Sequence, residues 1–193
     1  HQPGDRREYF EAPADVWEIF RTLAEDEVLW YRREFTAPAG VGGRVLLHFG
    51  AVDQSCRVAI NGVEIGGNTG GFLPFTLDIT DALGDRETHE IVVAVRDVTD
   101  KSWLSRGKQS SKPGGIWYTP QSGIWQTVWL ERVPAVAIDR LILTPVLASR
   151  EVEVTVVSHA VADGTMVAVE ILAHGERHGF AEIEPNIPTR VRL

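Results

Sequence analysis

Cysteine is almost missing from this sequence, and that alone removes one class of fold. A single Cys56 in 193 residues permits no intrachain disulfide, so the chain is not a disulfide-stapled scaffold and must be held by burial. An oxidising compartment is neither required nor excluded. Cys56 stands in the alternating run Cys56-Arg57-Val58-Ala59-Ile60, which predicts a small buried thiol; a nucleophile would need a base beside it. Long apolar runs are also missing, so no helix spans a membrane. Basic clusters are scarce: 19 Lys and Arg stand against 27 Asp and Glu, a formal charge of −8, and Arg6-Arg7 and Arg32-Arg33 are only pairs. A nucleic-acid partner is excluded, because a polyanion footprint needs clustered cations to displace counterions. No signal peptide is visible. The first residue is His1, which predicts a trimmed N-terminus or numbering that starts inside a longer chain. The compartment is unknown on these grounds, with a cytoplasmic one slightly favoured.

Signature motifs are equally sparse. There is no G-x-S-x-G elbow, no P-loop and no G-x-G-x-x-G, and the doublets Gly42-Gly43, Gly66-Gly67, Gly70-Gly71 and Gly114-Gly115 read as β turns. His174 and His178 stand four apart, but Gly175 and Gly179 beside them put both in a turn. No third ligand stands at a metal spacing, so no metal and no cofactor is expected. Glycoside hydrolysis would need two carboxylates about 5 to 9 Å apart around a sugar. Asp78 and Asp81 are near in sequence, but a strand end capping a turn accounts for them, and no acid/base pair is nominated.

What is present is β structure. A helical face, Val16, Ile19, Phe20 and Leu23, predicts one short helix over Ala14–Leu23. From Leu29 the apolar period is two. Val45–Phe49, Arg57–Ile60 with Asn61-Gly62 and Val63–Ile65, Phe72–Ile79, His89–Val98 and Ile124–Val133 read as strands, with Asn-Gly marking a tight hairpin. The nearly continuous apolar content of His89–Val98 predicts a central strand covered on both faces. After Pro134 a second series runs over Ala137–Pro145, Arg150–Val161 and Gly164–Ala173. An all-β chain follows, with a sandwich or jelly roll over 1–133 and, over 134–193, a second β domain shorter than an immunoglobulin-like sandwich. About 60 residues are few for such a sandwich, and the second domain looks unfinished, with about four strands. Val152, Val154, Val156, Val167, Val169 and Ile171 therefore predict a partner sheet from a neighbouring copy, a homo-oligomer, or from a missing part of the fold.

Three of the six tryptophans lie in Gly114–Glu131. Trp125 and Trp129 fall on one face of a single strand, which predicts core or interdomain packing. Trp117 and Tyr118 precede that strand between Pro113 and Pro120. Before them, Thr99–Lys112 is a polar stretch with one aromatic, Trp103. A loop of that length is usually functional or disordered. Trp103, Arg106, Lys108, Trp117 and Tyr118 are therefore the candidate sugar-binding residues, with flat rings for C–H faces and donors for hydroxyls; packing of the loop on itself is the alternative account of the same residues.

Five blocks carry a family resemblance: Val28–Phe35 (VLWYRREF), Phe49–Asp53 (FGAVD), Val58–Gly62 (VAING), Gly70–Thr80 (GGFLPFTLDIT), and Gly115–Tyr118 with Ser122–Glu131 (SGIWQTVWLE). In this order they resemble the N-terminal sugar-binding domain of glycoside hydrolase family 2, which includes β-galactosidases, β-glucuronidases and β-mannosidases. The stretch from Pro134 resembles the start of the immunoglobulin-like domain that follows. The resemblance implies a jelly roll beside a catalytic TIM barrel, with loops of the first domain walling the active site and two glutamates on the barrel. No part of this chain resembles the barrel, so no catalytic residue is assigned. Some galactosidases place an acidic residue shortly before the Ser-Gly-Ile segment; Gly114–Trp117 offers none. The expected function is the non-catalytic N-terminal portion of a glycosidase that cleaves O-glycosidic bonds, its partners carbohydrate and the barrel of the same polypeptide. The alternatives are a stand-alone carbohydrate-binding module and a protein-interaction module.

Overall fold

The computed structural model describes residues 8–9, 27–40 and 42–193, so the helix expected over Ala14–Leu23 lies outside the described residues. Strands dominate, and the chain divides into two compact units, His1–Arg132 and Val133–Leu193.

In the first unit, β2 (Leu29–Phe35), β8 (His89–Arg96), β5 (Ser55–Ile60) and β6 (Val63–Thr69) form one sheet in that order. The other runs β1 (Glu8–Tyr9), β10 (Val128–Val133), β3 (Arg44–Phe49) and β7 (Phe75–Asp78), while β4 (Val52–Asp53) and β9 (Gly123–Ile124) make a short ribbon. Period-two alternation sets the register: Cys56, Val58 and Ile60 on β5 pair with Val95, Val93 and Ile91 on β8, so both strands present their apolar residues to one side. Val45, Leu47 and Phe49 from β3 and Leu130 from β10 close over them, which makes the unit a two-sheet sandwich around one core. Cys56 lies in that core, as the alternation predicted.

The hairpin signal at Asn61-Gly62 is realised with φ of 51° and 82°. Asn61 does more than turn the chain. Its carboxamide donates to Ala82 O (2.8 Å) and accepts from the Glu90 amide (3.0 Å). Asp78 accepts from the amide and hydroxyl of Thr80 (3.0 and 2.5 Å) at the entry to the one-turn α1 (Thr80–Leu83), the turn-holding role expected of it.

Several sequence expectations are corrected. β8 is not covered on both faces: His89, Ile91, Val93 and Val95 are buried, and the residues between them are only half-buried or exposed. Phe72–Ile79 shrinks to Phe75–Asp78, leaving Phe72 and Leu73 exposed. The strand read over Ile124–Val133 is two strands in different sheets, broken at Trp125–Thr127, so Trp125 and Trp129 do not share one strand. Neither is a core residue: Leu130 takes the inward position, Trp129 stacks on His48 (4.8 Å, 12°), and Trp125 stays 43% exposed.

In the second unit, β11 (Ala137–Val146), β12 (Glu151–His159) and β15 (Thr189–Arg192) form one sheet, and the hairpin β13 (Val167–Ala173) and β14 (Glu176–Ile183) forms another. Five strands stand where about four were expected. The anticipated missing partner sheet is also corrected: Val154, Val156, Ile183 and Val191 are buried together, with Val152, Val167, Val169 and Ile171 packed on them. His174 and Gly175 form the turn of the second hairpin, with His174 at φ 51°, whereas His178 lies on β14 rather than in the turn.

Candidate functional site

Between β8 and β9 the chain makes one long excursion, Asp97 to Ser122, that contains only isolated bridges. No residue of it joins the buried apolar cluster of the first unit, although Pro120 is buried and Leu104 half-buried. Hydrogen bonds tie it together. At its root, Asp97, 2% exposed, accepts from the Thr99 amide (2.5 Å) and from the Ser122 hydroxyl (2.6 Å), which ties the two ends together. Asp100 accepts from the hydroxyls of Ser110 (3.0 Å) and Ser111 (3.1 Å) and from the Ser111 amide (3.0 Å), and these bonds, the amide first, hold its pKa below the usual value. At the middle, Gln109 donates to Asp53 Oδ2 (2.9 Å) and accepts from the Gln121 amide (2.6 Å).

Asp53 belongs to the sandwich and is 6% exposed. Burial pushes its pKa from 3.8 up to about 6, against the opposing Gln109 hydrogen bond and helped by the negative charge of Asp97. The neighbouring Gln54 donates to Thr99 O (3.3 Å). Gly71 crosses so close to Asp53 that a Cβ there would lie 2.3 Å from Oδ1.

The five candidate residues all lie on this excursion, and the structure brings some of them together. The Arg106 guanidinium sits over the Trp117 ring, 5.4 Å from its centroid, while its Nη1 donates to Asp100 O (3.0 Å). Lys108 and Tyr118 meet through the backbone, Tyr118 N donating to Lys108 O (2.8 Å). Trp117 is 39% and Tyr118 65% exposed. Trp103 is 90% exposed and stacks on no ring among the described residues. The excursion bears Lys101, Arg106, Lys108 and Lys112 against the lone carboxylate Asp100 between Thr99 and Gln121, in a chain of net charge −8.

Sequence reading missed Phe72. A Cβ at Gly107 would touch its ring edge at 4.0 Å, and the ring meets Trp125 edge-on (6.0 Å, 66°), with Trp125 Nε1 donating to Gly71 O (2.7 Å). Phe72 and Trp125 thus extend the aromatic surface from the excursion onto the turn before β7. Asp53, Asp97, Gln109 and Ser122 were missed as well. The available signal was Asp53, a carboxylate closing an apolar run, which needs a partner if buried. Among the described residues no group of three His, Cys, Asp or Glu is arranged to hold a metal ion. Among the described residues no helix is long and apolar enough to cross a membrane.

The family model of the glycosyl hydrolase 2 galactose-binding domain-like region matches residues 18–125, which include both strands of the β4–β9 ribbon and the whole excursion. The chain belongs to glycoside hydrolase family 2. Residues 18–125 are its galactose-binding domain-like region. Within the family it is 30% identical over 112 residues to a β-glucuronidase of Paenibacillus borealis, covering 56% of this chain and 19% of that protein. It is 29% identical to a putative β-glucuronidase of Formosa agariphila (64% and 14% covered) and 30% identical to a β-galactosidase of Thermoanaerobacter pseudethanolicus (54% and 14%). The chain therefore spans less than a fifth of the length of these relatives. Ruminococcus gnavus β-glucuronidase bound to uronic isofagomine shares the fold, with a TM-score of 0.69 and 22% identity over 94% of this chain and 30% of that one. The all-β, two-sandwich reading of this family-2 chain stands on that likeness.

Proposed function

We propose that this chain is the substrate-shaping, non-catalytic N-terminal portion of a glycosidase that hydrolyses O-glycosidic bonds. Residues 1–133 serve as the sugar-binding jelly roll and 134–193 as the beginning of an immunoglobulin-like domain. The observation that carries the reading is the Arg106–Trp117 stack on a long, hydrogen-bonded excursion of a family-2 domain. Trp117 and Tyr118 supply faces for a sugar ring, while Arg106 and Lys108 supply donors for its hydroxyl or carboxylate oxygens. Trp103 and Phe72 extend the apolar surface. The proposed partners are carbohydrate and the catalytic barrel of the same polypeptide, which supplies the two glutamates. The relatives named above act on different sugars by their names, so neither galactoside nor glucuronide is assigned here.

The test is Trp117→Ala in the intact glycosidase. Loss of one stacking face lowers kcat/KM by roughly fivefold, the factor for about 1 kcal/mol. Unchanged sugar affinity and unchanged turnover would remove the reading. Titration of the 193-residue chain with mono- and oligosaccharides, followed by tryptophan fluorescence, separates it from a stand-alone binding module: a module saturates without a barrel, whereas a rim awaiting its barrel binds far more weakly. Association of copies that is independent of sugar would instead favour a protein-interaction module.

A further inference from the structure

We propose that Asp53 and Gln109 form a pin that positions Tyr118, and with it the aromatic rim, on the body of the jelly roll. The excursion has its two ends tied by Asp97 and Ser122, but none of some two dozen residues between them joins the apolar core cluster. Gln109 sits near the middle. Its backbone neighbours bracket Tyr118, since Ser110 N donates to Tyr118 O (3.1 Å) and Tyr118 N donates to Lys108 O (2.8 Å). Its side chain then fixes this pair from two sides, the NH2 on Asp53 (2.9 Å) and the carbonyl receiving the Gln121 amide (2.6 Å). A carboxamide is the group this needs, with a donor at one end and an acceptor at the other. Glutamate would set a second carboxylate against Asp53, and asparagine is one methylene too short.

Asp53 is suited to be the fixed end. It pairs with Gly123 in the β4–β9 ribbon, is 6% exposed, and has Gly71 pressed against it where any side chain would collide. A hydrogen bond to an anionic acceptor in such surroundings is stronger than a neutral one, so the pin resists loop motion. The role is positioning: neither residue needs to touch sugar.

Amide hydrogen exchange on the 193-residue chain tests the pin. In Gln109→Ala the amides of Tyr118 and Gln121 exchange roughly tenfold faster, while those of Val58 and Val93 in the core keep the parent rate. Gln109→Glu has the same effect, and the swap Asp53→Asn with Gln109→Glu restores protection, because donor and acceptor have merely changed sides. Unchanged exchange at Tyr118 and Gln121 in Gln109→Ala would overturn the pin. So would equal acceleration in the core, which signals general destabilisation, or a swap no better protected than Gln109→Glu alone. If Gln109→Ala does not fold, the single and double glutamate variants decide by the same readout. The functional sense of the pin rests on the rim reading above, and the two fail separately. Absence of any sugar response in the parent's tryptophan fluorescence strikes the rim, whereas the exchange pattern strikes the pin.

Discussion

Asp53 titrates in an unusual direction for a hydrogen-bonded carboxylate, because burial outweighs the bond from Gln109 and raises its pKa from 3.8 to about 6. The folded chain thus retains this proton up to about pH 6, while the unfolded chain releases it near 3.8. Between those values the folded state binds more protons, so the group's contribution to stability falls as pH rises through the window and is level above it. Asp53→Asn removes the titration. The melting temperature of the variant minus that of the parent is expected to rise from pH 4 to pH 7 and then flatten; thermal melts across that range check it, and a difference that falls with pH would contradict the assignment. Gly71 is coupled to the same carboxylate. Gly71→Ala forces a Cβ to 2.3 Å from Asp53 Oδ1 and costs about 1–3 kcal/mol in a denaturant titration, since a pinned side chain has little room to yield. An Asp at the end of an apolar run was legible as needing a partner. That the partner is Gln109, 56 residues away, was not, because no local pattern encodes that pairing.

At the scale of the element, the β5–β6 hairpin shows how much one turn residue carries. Asn61 accepts φ 51° and also bonds Ala82 and Glu90, linking the hairpin to α1 and to β8. Asn61→Ala is expected to lose about 2–3 kcal/mol, from the strained backbone and the orphaned Glu90 amide, and Asn61→Gly less, because glycine keeps the turn. Chemical denaturation of the two variants separates backbone from hydrogen-bond effects; equal losses would assign everything to the bonds. The Asn-Gly signal predicted the turn correctly because its cause is local. The Trp125–Trp129 strand failed for the opposite reason. Its alternation is unbroken in sequence, yet Ile124 pairs with Val52 in one ribbon while Trp129 pairs with Tyr9 in another sheet, and the chain must bend between them. Trp125 then reaches Gly71, a contact that no period of two announces.

For the whole molecule, two separate cores follow from two separate sets of alternating strands. Each unit has an apolar centre of its own, so Val156→Ala is expected to cost about 2–3 kcal/mol in the second unit and to leave amide protection at Val58 and Val93 in the first unit unchanged. The second unit closes its core over β12 and β15 but not over β11. Leu141 and Leu143 pair with the buried Val156 and Val154, yet remain 55% and 58% exposed, because the facing sheet has only two strands. Leu141→Glu with Leu143→Lys is expected to cut binding of a hydrophobic dye by roughly half without altering the far-ultraviolet circular dichroism spectrum. Unchanged dye binding would mean that the exposed leucines are not the accessible apolar surface.

Sequence alone determined what depends on neighbours along the chain: the strand faces, the Asn-Gly hairpin, the buried thiol at Cys56, the Asp78 turn and, through five ordered blocks, the family. Tertiary structure decided what depends on residues far apart in the chain. It ended strands where their pairing partners changed, turned Trp129 outward onto His48, supplied the second unit with its own facing sheet, and gathered Asp53, Gln109 and Gln121 around one carboxamide. The physical reason is one of range: backbone sterics and side-chain alternation act over a few residues, whereas a buried polar group takes whichever partner the folded topology brings within 3 Å.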